Sequence, residues 1–212
     1  MNTASASPPR RLRERQRKLE NLLDAAGEVF AKKGFHNTSM EDIAAAAEYA
    51  TGTLYRYFPS KEALYVGLLE SRYAAVIAEV KSRVAQTDNP LDGLRAVISA
   101  QVDSMRRDLS ILQIFFGERM EAGSKSDRWA HIESLHQEFH EWLAEGFARG
   151  QLAGVFLPGD PKLYVMAIQG MLSALLRDWV KSSGPTADIE QQKNFLIEFS
   201  LRAICVNPTQ TS

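Results

Sequence analysis

Apolar residues recur at steps of three and four along almost the whole chain, and no stretch alternates polar with apolar convincingly. A repeat near 3.6 places such residues on one face of an α-helix, whereas a half-buried strand needs a repeat of two. An all-α fold of about nine helices is therefore expected. Leu19, Leu22, Leu23, Ala26 and Phe30 form the first stripe, which Gly34 stops after Lys32 and Lys33. Thr38 and Glu41 read as a capping box for a short helix through Met40, Ile43, Ala44 and Ala47. A third helix covers about 51–58. After Pro59 the chain restarts, with Ser60 as N-cap and Glu62 in the first turn of a helix running to about residue 85. Further helices open at "DNP" (88–90), cover 108–121 and 126–149, run from "GDP" (159–161) to about 180, and span 188–206. The tails 1–9 and 207–212 are expected to be disordered.

Composition narrows the class. The chain has 212 residues and a formal net charge of −1, so bulk charge does not draw it to polyanions. The charge is uneven, however. Residues 1–62 carry ten Lys/Arg against eight Asp/Glu, and "RRLRERQRK" at 10–18 holds six of those cations and one acid. The longest apolar run, "LYVMAIQGMLSALL", has 14 residues, short of the roughly 20 that cross a bilayer. The N-terminus lacks the apolar core of a signal peptide. A single cysteine, Cys205, excludes an internal disulfide and fits a reducing cytoplasm. No G-x-S-x-G, P-loop or G-x-G-x-x-G occurs, and an enzyme is not expected.

The stretch "TGTLYRYF", residues 51–58, carries the functional signal. On a wheel at about 100° per residue, Leu54 and Phe58 fall together toward a core. Gly52, Thr53, Arg56 and Tyr57 fall on the opposite side, with Tyr55 at the edge. A helix of two turns thus shows the outside a donor-rich strip suited to phosphate oxygens and base edges. A short capped helix precedes it across about three connecting residues, the spacing of a helix-turn-helix whose second helix enters the major groove. Lys61, in the first turn of the next helix, adds a cation beside free backbone N–H groups.

At "AAGEVFAKKGFHNTSMEDIAAAA" and "TGTLYRYFPSKEAL" the chain resembles the TetR family of transcriptional regulators, over about residues 19–66. The resemblance implies a DNA-binding N-terminal domain (1–62, with the basic arm) and a larger helical domain (63–212) for ligand binding and dimerisation, usually in a repressor. By matching position, Thr38 or Ser39, Thr51, Gly52, Thr53, Tyr55, Tyr57 and Lys61 would contact DNA; the wheel adds Arg56. The sequence departs from the family pattern at "EYA", 48–50, where Gly-Val-Ser is usual. Glu48 stands at the turn glycine, Ala50 lacks the capping hydroxyl, and Thr51 is the substitute N-cap.

The remainder is less specific. Segments 161–180 and 188–206 are apolar over more than one stripe, including Leu163, Gly170, Met171, Leu175, Trp179 and Phe199. A second copy packing as a four-helix bundle would cover the surplus. Phe115, Phe116, Met120, Trp129, Trp142 and Phe147, with Met166 and Glu118, are the candidate lining of a small-molecule cavity, as in this family. Glu133, His136 and His140 share one helical face that a divalent metal could use, although "HQEFH" lacks the glutamate of a zinc protease. The expected function is a homodimeric, cytoplasmic, ligand-responsive regulator that binds double-stranded operator DNA and needs no cofactor beyond an unknown effector. A metal-responsive regulator and a helical protein-interaction module are the alternatives.

Overall fold

The computed structural model describes residues 9–117, 127–182, 184–185 and 187–206, with no account of the side chains at 114–117 and 127–129. Among these residues there are nine α-helices: α1 Arg10–Lys33, α2 Met40–Ala46, α3 Thr51–Tyr57, α4 Lys61–Val84, α5 Pro90–Arg107, α6 Leu109–Gly117, α7 Asp127–Leu152, α8 Pro161–Lys181 and α9 Ile189–Ile204. The all-α expectation holds. One isolated antiparallel bridge, Phe156 with Cys205, is the extended pairing among them. The tails at 1–8 and 207–212 and the end of the helix expected over 108–121 fall outside the described residues.

The chain divides into two compact units, Met1–Ser71 and Arg72–Ser212. In the first, Leu22, Ala26 and Phe30 of α1, Ile43 of α2, Leu54 of α3 and Leu64, Tyr65 and Leu68 of α4 are buried. Phe30 and Phe35 both meet the Tyr65 ring edge-on at 5.5 Å. α1 begins nine residues before its first half-buried position, Leu19, so the basic run 10–18 is exposed helix about 12 Å long at 1.5 Å per residue. Arg10 pairs with Glu14 one turn on, at 2.8 Å.

The capping box expected at Thr38 and Glu41 lies one residue later. Ser39 Oγ accepts from Asp42 N–H, and Asp42 Oδ2 accepts from Ser39 N–H, both at 3.0 Å. Thr38 is buried instead, its hydroxyl donating to the Gly34 carbonyl at 2.7 Å. Burial excludes Thr38 from the cap, and aspartate reaches the cap N–H as glutamate would. A hydrogen bond from Lys33, together with the bonds to Ser39, holds the Asp42 carboxyl down to about 2.

In the second unit, α5 runs through the middle of a core that includes Val97, Ile98, Ala100 and Val102, with Phe139 and Leu143 of α7, Ile168 and Leu172 of α8 and Leu201 of α9. Side-chain oxygens of Asn89, Asp160 and Asp188 cap α5, α8 and α9. Trp179 has no exposed surface, and its Nε1–H donates to Gln192 Oε1 at 2.8 Å. It belongs to this core, which corrects its placement on a dimer face: amphipathic tryptophan satisfied its one donor internally. Ion pairs of Arg83 and Lys193 with Asp103, and of Arg107 with Glu79, join α4, α5 and α9.

Candidate DNA-recognition helix and ligand cavity

α3 is seven residues long and is held from one side. Leu54 and the following Phe58 are fully buried. Tyr55 and Arg56 are exposed, Thr51, Thr53 and Tyr57 are half-buried, and a Cβ at Gly52 would meet nothing within 4 Å. The outward strip therefore combines hydroxyl and guanidinium donors with backbone that another molecule can approach closely. Its N-cap is Ala50, which gives no side-chain hydrogen bond. Thr51 is the first helical residue rather than the cap, because Ala50 already holds the extended geometry that precedes a helix (φ −64°, ψ 140°).

The turn before α3 is a Schellman motif. Tyr49 N–H donates to the Ala44 carbonyl at 2.9 Å and Glu48 N–H to Ala45 at 3.1 Å. The motif puts its C′ residue in the left-handed region, and Glu48 is there with φ +58°, the one positive φ outside glycine among the described residues. The backbone thus keeps the conformation a glycine would adopt, with an exposed carboxylate in its place. Hydrogen bonds on both sides hold it against its steric preference.

Lys61, expected at the DNA surface, is bonded within its own unit. Its ammonium donates to the carbonyls of Phe35 at 2.7 Å and Thr38 at 2.9 Å and lies 4.5 Å from the centre of the Phe35 ring. It thereby ties the start of α4 to the loop between α1 and α2. Of the pair Thr38 and Ser39, the exposed residue is Ser39.

The second unit contains a cavity of about 420 Å³ between the end of α4, the start of α5, α7 and α8. Trp142 and Phe147, both expected in a ligand site, line it, together with Val97, Phe156 and Ile168. Gln169 also lines it, and its amide nitrogen is buried with no hydrogen-bond partner. Arg149 and Asp88 stand on the same lining. Met166 is not part of this wall. It is exposed on α8 with Leu163 and Gly170, on the outer face of a helix whose inward stripe is Val165, Ile168 and Leu172. Glu118 and Met120, and the side chains of Phe115, Phe116 and Trp129, lie outside the described residues.

The sequence reading missed Gln169, Arg149 and Phe156. Gly146 and Gly150, four apart on α7, were the available signal: they mark a face where something approaches the helix. A Cβ at Gly150 would overlap the Phe156 ring, and Gly146 opens onto the cavity.

On the candidate dimer faces, Leu163 of α8 and Phe199 of α9 are exposed, while Met171 and Leu175 are half-buried. Phe199 stacks on Phe195, which is also exposed, with ring centres 5.9 Å apart. The histidine cluster does not gather as a metal site. The rings of His136 and His140 lie 3.9 Å apart and His136 stacks on Tyr73, but Glu133 stays out on the surface. Among the described residues no three side chains of ligating type come together. Burial, and then the neighbouring His136, pushes the His140 imidazole below its ordinary value.

Comparison with known proteins gives matches over both units. Residues 22–68 match the model of bacterial regulatory proteins of the tetR family, and residues 87–204 match that of a tetracyclin repressor-like C-terminal domain. The chain is 31% identical over 147 residues to the HTH-type transcriptional repressor NicS of Pseudomonas putida, covering 69% of each chain. It is 27% identical over 165 residues to the repressor KstR2 of Mycobacterium tuberculosis, covering 77% of this chain and 82% of that one. Among solved structures, the regulator FadR of Bacillus subtilis in complex with stearoyl-CoA superposes with a TM-score of 0.69 at 23% identity, over 86% of this chain and 97% of that one.

Proposed function

The chain belongs to the TetR family of bacterial regulatory proteins and is a ligand-responsive DNA-binding transcriptional regulator; we propose that it acts as a homodimeric repressor that a small molecule releases from its operator. The observation that carries this reading is α3. Its apolar pair faces inward while Tyr55 and Arg56 stand exposed, on a helix set behind a Schellman turn. Ser39, Thr51, Gly52, Thr53, Tyr55, Arg56 and Tyr57 form the contact surface, with Arg56 toward a guanine or phosphate and the hydroxyls toward phosphates. Thr38, in the loop before α2, and Lys61, at the start of α4, brace that loop from within rather than meeting DNA. The division of labour falls between residues 1–62, which meet DNA, and 63–212, which bind ligand and a second copy.

The second copy covers the exposed apolar residues of α8 and α9, Leu163, Met166, Phe195 and Phe199. Twofold symmetry then presents two recognition helices about 34–36 Å apart, or somewhat more, to successive major grooves. α4 is one unbroken helix from Lys61 to Val84 and contributes residues to both units. A ligand that shifts its far end alters the setting of its near end, and a coupling of about 1–3 kcal/mol lowers operator affinity roughly 5- to 150-fold. Stearoyl-CoA in the FadR structure supports a small-molecule effector in general terms.

The test is a gel shift against a palindromic fragment from the gene's own upstream region, repeated over a salt series. Binding that weakens steeply with salt, through the phosphate contacts of Arg56 and the cations at 10–18, is the expected result. Absence of a shift, or a shift indifferent to salt, points the Tyr/Arg strip at a protein partner and refutes the reading.

A further inference from the structure

The geometry points to a ligand with an apolar body and a carbonyl-type hydrogen-bond acceptor at its head as the occupant of the cavity among α4, α5, α7 and α8. This deepens the ligand-responsive reading above and rests on it. A volume of about 420 Å³ corresponds to about 14 waters at roughly 30 Å³ each, so the body is of about that many non-hydrogen atoms. Trp142, Phe147 and Phe156 give the wall its apolar character. Against that wall, the amide nitrogen of Gln169 is a buried donor without a partner. Such a donor is costly to leave unmade. In the observed orientation it is the N–H that is shut in, so an acceptor oxygen inside the cavity satisfies it directly, whereas a second donor there meets an N–H head-on unless the amide turns over.

Two kinds of molecule share that chemistry, a carboxylic acid and a neutral ketone or ester. Arg149 favours the first and Asp88, on the same lining, opposes it. The cavity also includes Val84, the last residue of α4, so an occupant presses on the helix whose first residue is Lys61.

The experiment uses the full chain and three probes of similar length: decanoate, 2-undecanone and decylammonium. Binding is followed by calorimetry, and operator binding by gel shift on the same preparations. Wild type is expected to bind decanoate, 2-undecanone or both, to bind decylammonium at least tenfold more weakly, and to release the operator as an acceptor probe saturates. Gly146→Leu fills the cavity and abolishes probe binding with the melting temperature kept, because a Cβ there meets nothing nearer than Arg149 Nη2 at 3.8 Å. Gln169→Leu weakens acceptor probes about three- to tenfold without lowering the melting temperature of the free protein. Arg149→Gln distinguishes the heads: selective loss of decanoate identifies an acid, and no loss identifies a neutral carbonyl. Equal binding of decylammonium, undiminished binding by Gly146→Leu, or no binding of either acceptor probe overturns the proposal. If operator binding persists in that case, the regulator reading stands without it. If wild type fails to bind operator, the regulator reading fails by itself, and probe binding then marks a ligand site that is not an effector site.

Discussion

Replacing Glu48 by glycine should stabilise the protein while removing a charged side chain. Glu48 sits at φ +58° at the C′ position of the turn before α3. The left-handed region costs an L-residue about 1–2 kcal/mol. Glycine relieves that cost but returns roughly 0.5–1 kcal/mol through its freer unfolded chain, leaving a net gain of about 0–1.5 kcal/mol, with a midpoint of roughly 0.75. For a chain of this length about 2–4 °C accompanies each kcal/mol, so at that midpoint Tm should rise by about 1.5–3 °C in a calorimetric melt. Glu48→Ala isolates the cause. It keeps a Cβ in the same strained conformation, so its Tm should stay near wild type. Both variants remove the carboxylate, and both should therefore bind the operator more tightly to the same extent. At about 8 Å from a phosphate in water the relief is roughly 0.5 kcal/mol, about twofold. If Glu48→Gly and Glu48→Ala melt at the same temperature, backbone conformation is not what limits this turn and the reasoning fails.

Leu54→Ala empties a fully buried site and should cost about 3 kcal/mol or more, whereas Tyr57→Ala should reduce operator affinity by tenfold or more with a smaller loss of Tm; the reverse pattern in paired melts and gel shifts would refute the assignment of α3's faces. Lys61→Met removes the ammonium from the carbonyls of Phe35 and Thr38 and should lower stability by about 1–3 kcal/mol, so an unchanged urea midpoint would deny it a structural role. His140 should make stability fall in acid. Its imidazole is held below the ordinary 6.5, so the unfolded chain takes up the proton first; the contribution is complete above about pH 6.5 and is lost as pH drops below it. Urea melts between pH 7 and 5 should show that slope, and His140→Gln should flatten it.

Periodicity and caps were enough to read the nine described helices, because most carry an apolar stripe at helical spacing and most begin at Ser, Asn or Asp. The faces of α3 were legible too, since two turns of helix with two apolar residues leave little choice. The cap at Ser39 was missed by one residue because Thr38 and Ser39 both carry hydroxyls, and only packing decides which of them is buried. Trp179 and Met166 were misplaced for a related reason. On a helix as broadly apolar as α8, composition does not say which stripe faces the unit's own core. The cavity was half legible: Trp142 and Phe147 stand out as aromatics, but Gln169 reads as an ordinary polar residue until its nitrogen is found shut away from every acceptor. The turn at Glu48 was flagged as a departure at a glycine position, yet nothing local showed that the backbone would keep the glycine's conformation.

The short pairing of Phe156 with Cys205 makes the residues that close α9 a fastener. Leu157 N–H meets the Ile204 carbonyl at 2.8 Å and Val206 N–H meets Val155 at 3.1 Å. Those two bonds clamp the segment that holds Phe156 on Gly150. Trimming the protein after residue 203 would leave all but the last residue of α9 in place and still release that ring from the wall it forms. Cuts or fusions that disturb residues 204–206 would then reshape the proposed ligand cavity from positions outside its lining.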